Sequence, residues 1–311
     1  MSLKLEQRDI RLYVNSKIPL CVFGPRSILL SQSRPTVSWL PVRLFSDVLV
    51  DKTMTVEEWL VRAADYGLEA VEMYAPFLQS NGRSNVDRVE HRLEGLNLKV
   101  SMVTCSPDLT HPDPVERRKE LAAMERSIQN AAALGATAVR CTTGQAYADL
   151  GEEEGLTMVS DALVGLSEYA KPLGVKIALE NHYCDRMCME LPDFAHKLTL
   201  WLKLYDRIKD TSVMVNLDAS NPAMVGENAL DLIPVVGAKM VSMHASDRKM
   251  GTYPHTAIGE GDVDYEGIFK KLAEIEYTGW ISIEDGQPEG DAGFGRSLHY
   301  IRSLVERYWP E

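Results

Sequence analysis

Four short apolar segments in the second half of the chain each end in an acidic or imidazole side chain. They read VKIALE, VMVNLD, KMVSMH and WISIE, and their last residues are Glu180, Asp218, His244 and Glu284. In the first segment, Ile177 and Leu179 would point to one face of a β-strand and Glu180 to the other, because strand side chains alternate. Each segment therefore predicts a strand with a polar end, and the four together indicate one site formed by the ends of parallel strands.

Strand and helix signals alternate along most of the chain, at a spacing of ~30–40 residues per unit. The predicted strands are Val42–Ser46, Leu68–Tyr74, Leu98–Ser106, Thr137–Thr142, a fifth beginning at Val175, Val213–Asp218, Lys239–His244 and Trp280–Glu284. Helix starts stand between them, such as the capping box of Thr55 and Glu58 and the pair Asp113-Pro114. The later helices are expected at Pro192–Leu204, Ala229–Val236, Asp264–Glu276 and Arg296–Tyr308.

This alternation predicts an α/β protein with a (β/α)8 TIM barrel. A doubly wound open sheet is the other α/β arrangement, but it gives no reason for the polar ends of distant strands to meet. A chain of 311 residues is near the size of one barrel with an extension. We therefore expect residues 1–36 to form an N-terminal extension packed on the barrel and residues 37–311 to form a single barrel domain.

The composition favours a protein that acts on small molecules. The formal net charge is −12, from 45 acidic and 33 basic residues, which disfavours nucleic acid as a partner because its phosphates are bound by Lys and Arg. The five cysteines form no CxxC pair and are expected to be reduced thiols of a cytoplasmic protein. No apolar run reaches the ~18 residues of a membrane span, so no membrane partner is expected.

The four polar strand ends bring three carboxylates and one imidazole towards the same pocket. Carboxylates this close raise one another's pKa values, and a divalent cation removes that conflict. Three oxygen ligands and one nitrogen suit Mn²⁺, Mg²⁺, Co²⁺ or Zn²⁺, and the lack of a thiolate argues against a structural zinc site. The alternative is that these side chains are solvated, or neutralised by Arg140, Lys239 or Lys249.

Short motifs at these strand ends resemble those of a known family. The motifs ALEN, NLDASNP, MHASD and SIED, with a GxGxxD element at residues 259–264, resemble the xylose-isomerase-like TIM barrels, which include sugar-phosphate isomerases and epimerases and family 2 AP endonucleases. The resemblance covers roughly residues 42–308. It implies one divalent metal ion bound by Glu180, Asp218, His244 and Glu284. In the keto-sugar epimerase branch it also implies proton transfer by the carboxylates at Glu180 and Glu284.

The sequence departs from the epimerase pattern at two places. Asn221 stands where these enzymes usually carry a His three residues after the Asp of strand six. The usual HxKD motif of strand seven reads His244-Ala245-Ser246-Asp247 here. His255 precedes the GxG element, as in several members of the family.

From the metal site and the resemblance we expect a metal-dependent isomerase or epimerase of a keto-sugar or sugar acid. The metal would stabilise an enediolate intermediate as a Lewis acid, and Glu180 and Glu284 would be the acid/base pair. Substrate hydroxyl or carboxylate groups are expected to contact His182, Glu72, Arg140, Asn221 and His255. For the first three of these, a structural role is equally compatible with the sequence: His182 could cap its strand, and Arg140 could pair with Glu72.

Three other functions remain open at this point. The same intermediate serves a lyase, meaning a dehydratase, decarboxylase or 3-keto-glycoside eliminase, and Asn221 favours this departure from the epimerases. An AP endonuclease is disfavoured, because Tyr253 stands where the Asp ligand of its late motif would be and the charge is wrong for DNA. A non-catalytic binding protein would have a metal-free pocket.

A homo-oligomer is possible through the helix aromatics Trp201, Tyr205, Tyr308 and Trp309, although aromatics at helical spacing are more often core.

Overall fold

The computed structural model describes residues 34–79, 83–284 and 289–310, so almost all of the predicted N-terminal extension lies outside the described residues. Eight parallel strands form one sheet in the order β1-β8-β7-β6-β5-β4-β3-β2, and β1 packs beside β2 so that the edges meet. The strands are β1 (Thr36–Leu40), β2 (Ala70–Tyr74), β3 (Lys99–Thr104), β4 (Ala138–Cys141), β5 (Lys176–Glu180), β6 (Met214–Asp218), β7 (Met240–Ala245) and β8 (Trp280–Glu284). The predicted (β/α)8 barrel is confirmed.

The first strand lies earlier than the sequence pattern predicts. β1 is Thr36–Leu40, so one residue assigned to the extension belongs to the barrel. The predicted strand Val42–Ser46 is wrong, because Val42–Leu44 forms a 3-10 turn and Phe45–Leu49 forms the short helix α1. Pro41 accounts for the boundary, since its nitrogen carries no hydrogen to donate to a neighbouring strand.

Helices connect the strands around the outside of the barrel. After α1 they are α2 (Val56–Asp65), α3 (Pro76–Gln79), α4 (Arg83–Leu96), α5 (Pro114–Ala133), α6 (Glu152–Ala170), α7 (Leu198–Ile208), α8 (Ile233–Val236), α9 (Tyr265–Glu274) and α10 (Gly290–Tyr308). The predicted capping box is confirmed: Oγ1 of Thr55 accepts from the backbone N–H of Glu58 at 3.2 Å, and Oε2 of Glu58 accepts from the N–H of Thr55 at 2.7 Å. Asp113 caps α5 by accepting from the N–H of Val115 at 2.7 Å.

Two of the later helices start at other residues than predicted. The helix expected from Pro192 begins at Leu198, because the N–H groups of Asp193 and Phe194 donate to loop carbonyls instead of continuing a helix. The last helix starts at Gly290 rather than at Arg296.

One predicted helix is divided in two. The segment Ala229–Val236 is split into a 3-10 turn, Ala229–Asp231, and the single-turn helix α8.

The alternation predicted for β5 is confirmed by its packing. Ile177 and Leu179 are fully buried in the large core between the barrel and its helices. Ala178 instead packs with Met102 and Ala138 in a separate small cluster. Since Glu180 has the same parity as Ala178, its carboxylate lies on the inner side of the barrel.

The inner layer beneath the polar strand ends is made of small polar side chains on four neighbouring strands. They are Ser38, Asn216, Ser242 and Ser282, each at most 1% exposed. Three of them precede Asp218, His244 and Glu284 by two positions and therefore face the same interior. Within the described residues, neither the three hydroxyl groups nor the amide group has a hydrogen-bond partner in the protein.

The aromatic residues of α7 belong to the core rather than to an exposed surface. Trp201 is fully buried and stacks on Tyr205 at a ring-centroid distance of 5.6 Å. Its Nε1 donates to the backbone carbonyl of Glu180 at 3.0 Å, which ties α7 to the end of β5. None of the described helices combines the length and the hydropathy that crossing a bilayer requires.

Candidate metal centre

The four predicted side chains meet at the C-terminal ends of β5, β6, β7 and β8. Glu180, Asp218, His244 and Glu284 each offer one oxygen or nitrogen atom, and these atoms all lie within 4.8 Å of one another. The first three residues are fully buried, and the side chain of Glu284 is 14% exposed. Closure of the barrel is what unites them, since each comes from a different strand.

The imidazole of His244 has a different environment at each of its nitrogens. Nε2 lies 2.9 Å from Oε1 of Glu72 and is hydrogen bonded to it. Nδ1 faces the cluster, 3.2 Å from Oε1 of Glu180 and 2.9 Å from Oε2 of Glu284. Despite that proximity, neither Nδ1 nor Oε2 of Glu284 has a hydrogen bond of acceptable geometry among the described residues. Two buried polar atoms this close together, without a well-aligned hydrogen bond between them, suit ligands of a shared cation.

The carboxylate of Glu180 is held by the guanidinium of Arg140. Its Oε2 accepts from Nε of Arg140, whose Nη1 also donates to the carbonyl of Cys105 at 2.9 Å and to Oγ of Ser106 at 2.8 Å. The suggested pairing of Arg140 with Glu72 is therefore wrong. Glu72 instead accepts from His244 and from Oγ1 of Thr104.

Asp218 is fixed by the loop that follows its own strand. Its Oδ1 accepts from the backbone N–H groups of Ser220, at 2.9 Å, and Asn221. Its Oδ2 accepts from Oγ of Ser246 at 2.8 Å. The two lysines considered as alternative counter-ions lie elsewhere: Lys239 donates to the carbonyl of Thr211 and Lys249 pairs with Asp262.

Without a metal, the cluster retains protons at neutral pH. Burial, followed by the charges of Glu284 and Glu180, raises the pKa of Asp218 to about 7. Burial would lower the pKa of His244, but Glu72, Glu180 and Glu284 outweigh it and raise that pKa well above its usual value. Burial would also raise the pKa values of Glu180 and Glu284, but Arg140 acting on Glu180 and His244 acting on both lower them instead. A protonated imidazole thus occupies the electrostatic position that a divalent cation would take.

A cavity of about 310 Å³ opens above the cluster. Its wall includes four of the five residues predicted to contact substrate, His182, Asn221, His255 and Arg140, and also the predicted metal ligand Glu284. Glu72, predicted to contact substrate, is not in this wall and lies behind His244. The further lining residues are Leu40, Val42, Phe45, Tyr74, Thr104, Cys184, Asp185, Arg186, Met187, Arg248 and Tyr253.

His182 and Asn221 are fixed in this wall by different contacts. Nδ1 of His182 lies 3.0 Å from Oδ2 of Asp193. Burial and the charge of Arg140 lower the pKa of His182, but the hydrogen bond to Asp193 and the charge of Glu180 outweigh them and raise it. Nδ2 of Asn221 lies 3.5 Å from Oε1 of Glu180, within reach of both the cluster and the cavity.

The GxGxxD element organises the loop between β7 and α9. Asp247 accepts backbone N–H groups from Gly259 at 2.8 Å, Gly261 at 2.9 Å and Val263 at 3.2 Å. A Cβ atom on Gly261 would come within 1.9 Å of Oδ1 of Asp247, so this close approach requires glycine. The spacing of the glycines in the sequence indicates this loop structure. Nothing in the sequence indicates that the same loop brings Arg248 into the cavity wall.

Comparisons with known proteins agree with this geometry. The chain is 26% identical over 179 residues to the L-ribulose-5-phosphate 3-epimerase UlaE of Shigella flexneri serotype 5b (strain 8401), a match that covers 57% of this chain and 59% of that enzyme. The fold is similar to that of a D-tagatose 3-epimerase-like protein, with a TM-score of 0.73 and 18% identity over 88% of this chain and 98% of the other. It is also similar to zinc-bound IolI, with a TM-score of 0.72 and 17% identity over 89% of this chain and 100% of the other.

A family model described as xylose isomerase-like TIM barrel matches residues 60–304, which include all four residues of the candidate metal centre. The solved structures show the same fold, and the curated epimerase is a relative over part of its length. The chain belongs to the xylose isomerase-like TIM barrel family.

Proposed function

We propose that this protein is a divalent-metal-dependent isomerase or epimerase that acts on a keto-sugar or a sugar acid through an enediolate intermediate. The observation that carries the proposal is the cluster of Glu180, Asp218, His244 and Glu284, with donor atoms within 4.8 Å of one another. The relationship to a sugar-phosphate 3-epimerase supports the same class of reaction.

The donor set fits a divalent metal ion. Three carboxylates and one imidazole are available, and two of their buried atoms, Nδ1 of His244 and Oε2 of Glu284, lack a hydrogen bond within the described chain. Glu72 would orient the imidazole from behind, an arrangement common around metal-binding histidines. A bound divalent ion would supply Lewis-acid stabilisation of negative charge on the substrate oxygens.

Glu180 and Glu284 are the proposed acid/base pair. Both have a lowered pKa and start as carboxylates, so either can accept a proton from the carbon beside a carbonyl. Glu284 reaches the cavity directly, whereas Glu180 is buried and restrained by Arg140. Epimerisation needs removal of a proton on one face of the substrate and delivery of a proton on the other. One of the two side chains would accept the substrate proton as a carboxylate, while the other would first take a proton from solvent and then deliver it as the carboxylic acid. His182, Asn221 and His255 would bind substrate hydroxyl groups in the cavity wall.

Two measurements test the proposal. Elemental analysis of the purified protein should find about one divalent ion per chain, and its removal by a chelator should abolish turnover. Keto-sugars and sugar acids incubated with the metal-loaded protein in D₂O should gain deuterium at one carbon, with no other change in mass. A pocket that binds no metal would instead indicate a binding protein.

A lyase is the second candidate, because the same enediolate can expel a leaving group. Asn221, which replaces the histidine of the epimerase pattern in the cavity wall, favours it. Loss of water or CO₂ from the substrate in the same D₂O experiment would identify a lyase and refute the isomerase.

A further inference from the structure

Arg248 is a buried cation in the cavity wall whose charge is not balanced by a direct ion pair. It is 3% exposed, and no ion pair joins its guanidinium to a carboxylate in the described part of the chain, whereas the other buried arginine in the same wall, Arg140, pairs with Glu180. A buried charge without a direct partner is costly, so one that faces a ligand cavity calls for an explanation.

The contacts of Arg248 are with neutral groups. Nε donates to Oγ of Ser220 at 2.8 Å, Nη1 to the carbonyl of Tyr253 at 3.0 Å, and Nη2 to Nε2 of His255 at 2.6 Å. Burial and the charge of Arg248 lower the pKa of His255 to about 4, so this ring is neutral at physiological pH. The contacts therefore fix the guanidinium in place without cancelling its charge.

Part of the guanidinium remains available to a ligand. A guanidinium carries five N–H groups, and the three contacts above use one on each nitrogen. One N–H is thus left on each terminal nitrogen, and each can donate to an oxygen of a carboxylate or phosphate.

Asp218, the acidic residue of the cluster on which the charge of Arg248 acts, does not form an ion pair with it. Burial and the neighbouring carboxylates raise the pKa of Asp218 despite the opposing charge of Arg248, and the oxygens of Asp218 are bonded to Ser220, Asn221 and Ser246. If Asp218 binds the metal as proposed, its charge is further committed to that ion.

A second cation, Arg186, lines the same cavity. The guanidinium of Arg186 lies 5.1 Å from the ring centroid of Tyr253, and that of Arg248 lies 5.8 Å from it. Arg186 is exposed, so its attraction for an anion is screened by solvent. Arg248 is the buried, positioned cation of the two.

We infer that Arg248 binds an anionic group of the substrate, a carboxylate or a phosphate, and that the substrate is therefore a sugar acid or a sugar phosphate rather than a neutral ketose. This inference rests on the proposed function, because it assigns the substrate class of the same cavity. It concerns binding of the substrate, not the proton transfer.

Calorimetric titration of the metal-loaded protein tests the inference with three kinds of compound. Keto-sugar acids such as 5-keto-D-gluconate are compared with their neutral counterparts such as L-sorbose, which has a hydroxymethyl group in place of the carboxylate, and with ketose phosphates such as D-ribulose 5-phosphate. At least one anionic compound should bind at least about 10-fold more tightly than its neutral counterpart. Comparing the affinities of the keto-sugar acids and the ketose phosphates shows whether the bound group is a carboxylate or a phosphate.

Variants at Arg248 locate the effect. Arg248→Gln should weaken binding of the anionic compound about 10- to 100-fold. Arg248→Lys should weaken binding less, because it keeps the charge but loses the planar guanidinium donors. Lys249→Met is the control, since it removes a neighbouring positive charge that pairs with Asp262 outside the cavity wall. It should leave binding unchanged.

The outcomes separate the inference from the proposed function. If neutral ketoses bind as tightly as anionic compounds, or if Arg248→Gln folds and keeps the affinity for anions, the inference fails and the isomerase survives. If the metal-loaded protein binds none of the three kinds of compound, the proposed function fails and the inference fails with it. If Arg248→Gln does not fold, Arg248→Lys and the comparison of ligands on the unmodified protein still decide the question.

Discussion

Nε2 of His244 lies 2.9 Å from Oε1 of Glu72, although 172 residues separate them in the chain. This bond leaves Nδ1 as the nitrogen that faces Glu180 and Glu284. Since the partner of one ring nitrogen sets the tautomer and orientation of the ring, Glu72 decides how His244 presents itself to a metal ion.

Glu72→Gln should lower the affinity for the divalent metal about 10-fold, because the amide keeps an acceptor but loses the charge that stabilises the imidazole. Metal affinity measured by competition with a chromogenic chelator checks this. Glu69→Gln, an exposed change just before the same strand, is the matched control. Equal affinities for the two variants would refute the role assigned to Glu72.

Metal binding should release protons at neutral pH. Asp218 has a pKa of about 7 and His244 a raised pKa in the metal-free cluster, so the metal must displace the protons that these two groups hold near and below neutral pH. Affinity should therefore rise with pH between about 6 and 8, by up to about 10-fold per pH unit for each proton released. Adding the metal to the metal-free protein in weak buffer with a pH-indicator dye measures the protons released on binding. A metal affinity that is independent of pH would contradict the protonation assigned to Asp218 and His244.

Glu284→Gln should still bind metal, more weakly, but should lose turnover by about 10²- to 10⁴-fold, since an amide cannot accept the substrate proton. The rate of deuterium exchange in D₂O and the metal content are measured on the same preparation of each protein. Glu289→Gln, on an exposed residue that pairs with Arg296, is the control. Exchange at the unmodified rate in a metal-loaded Glu284→Gln protein would remove Glu284 from the acid/base pair.

Gly261→Ala should lower the free energy of unfolding by about 2–4 kcal/mol, because its Cβ would come within 1.9 Å of Oδ1 of Asp247. Gly295→Ala, in α10 where no atom lies within 4 Å of the added Cβ, should be neutral or stabilising by about 0.5–1 kcal/mol. Denaturant unfolding of both variants measures the difference. A similar response in both would show that the bonds to Asp247 do not restrain the loop.

The sequence was most informative where side-chain periodicity and barrel closure act together. The ends of β5, β6 and β8 could be located, and that of β7 to within one residue, because each apolar run stops at a polar residue. The first strand was missed because its boundary depends on Pro41 and on pairing with β8, which local pattern does not reveal. The sequence also did not predict which side chains pair across the barrel. Arg140 pairs with Glu180, and Glu72 pairs with His244, because the fold brings together residues that are distant in the chain.

The layer of Ser38, Asn216, Ser242 and Ser282 bears on what fills the barrel beneath the metal site. Barrel interiors are usually packed with bulky branched side chains, but this layer has small hydroxyl and amide groups that no described residue satisfies. Buried polar groups of this kind are normally satisfied by ordered water. The centre of this barrel is therefore expected to be wet, and a high-resolution crystal structure should show water molecules bound to these side chains. A dry interior would mean that the chain tolerates several unsolvated polar groups directly under its reactive centre.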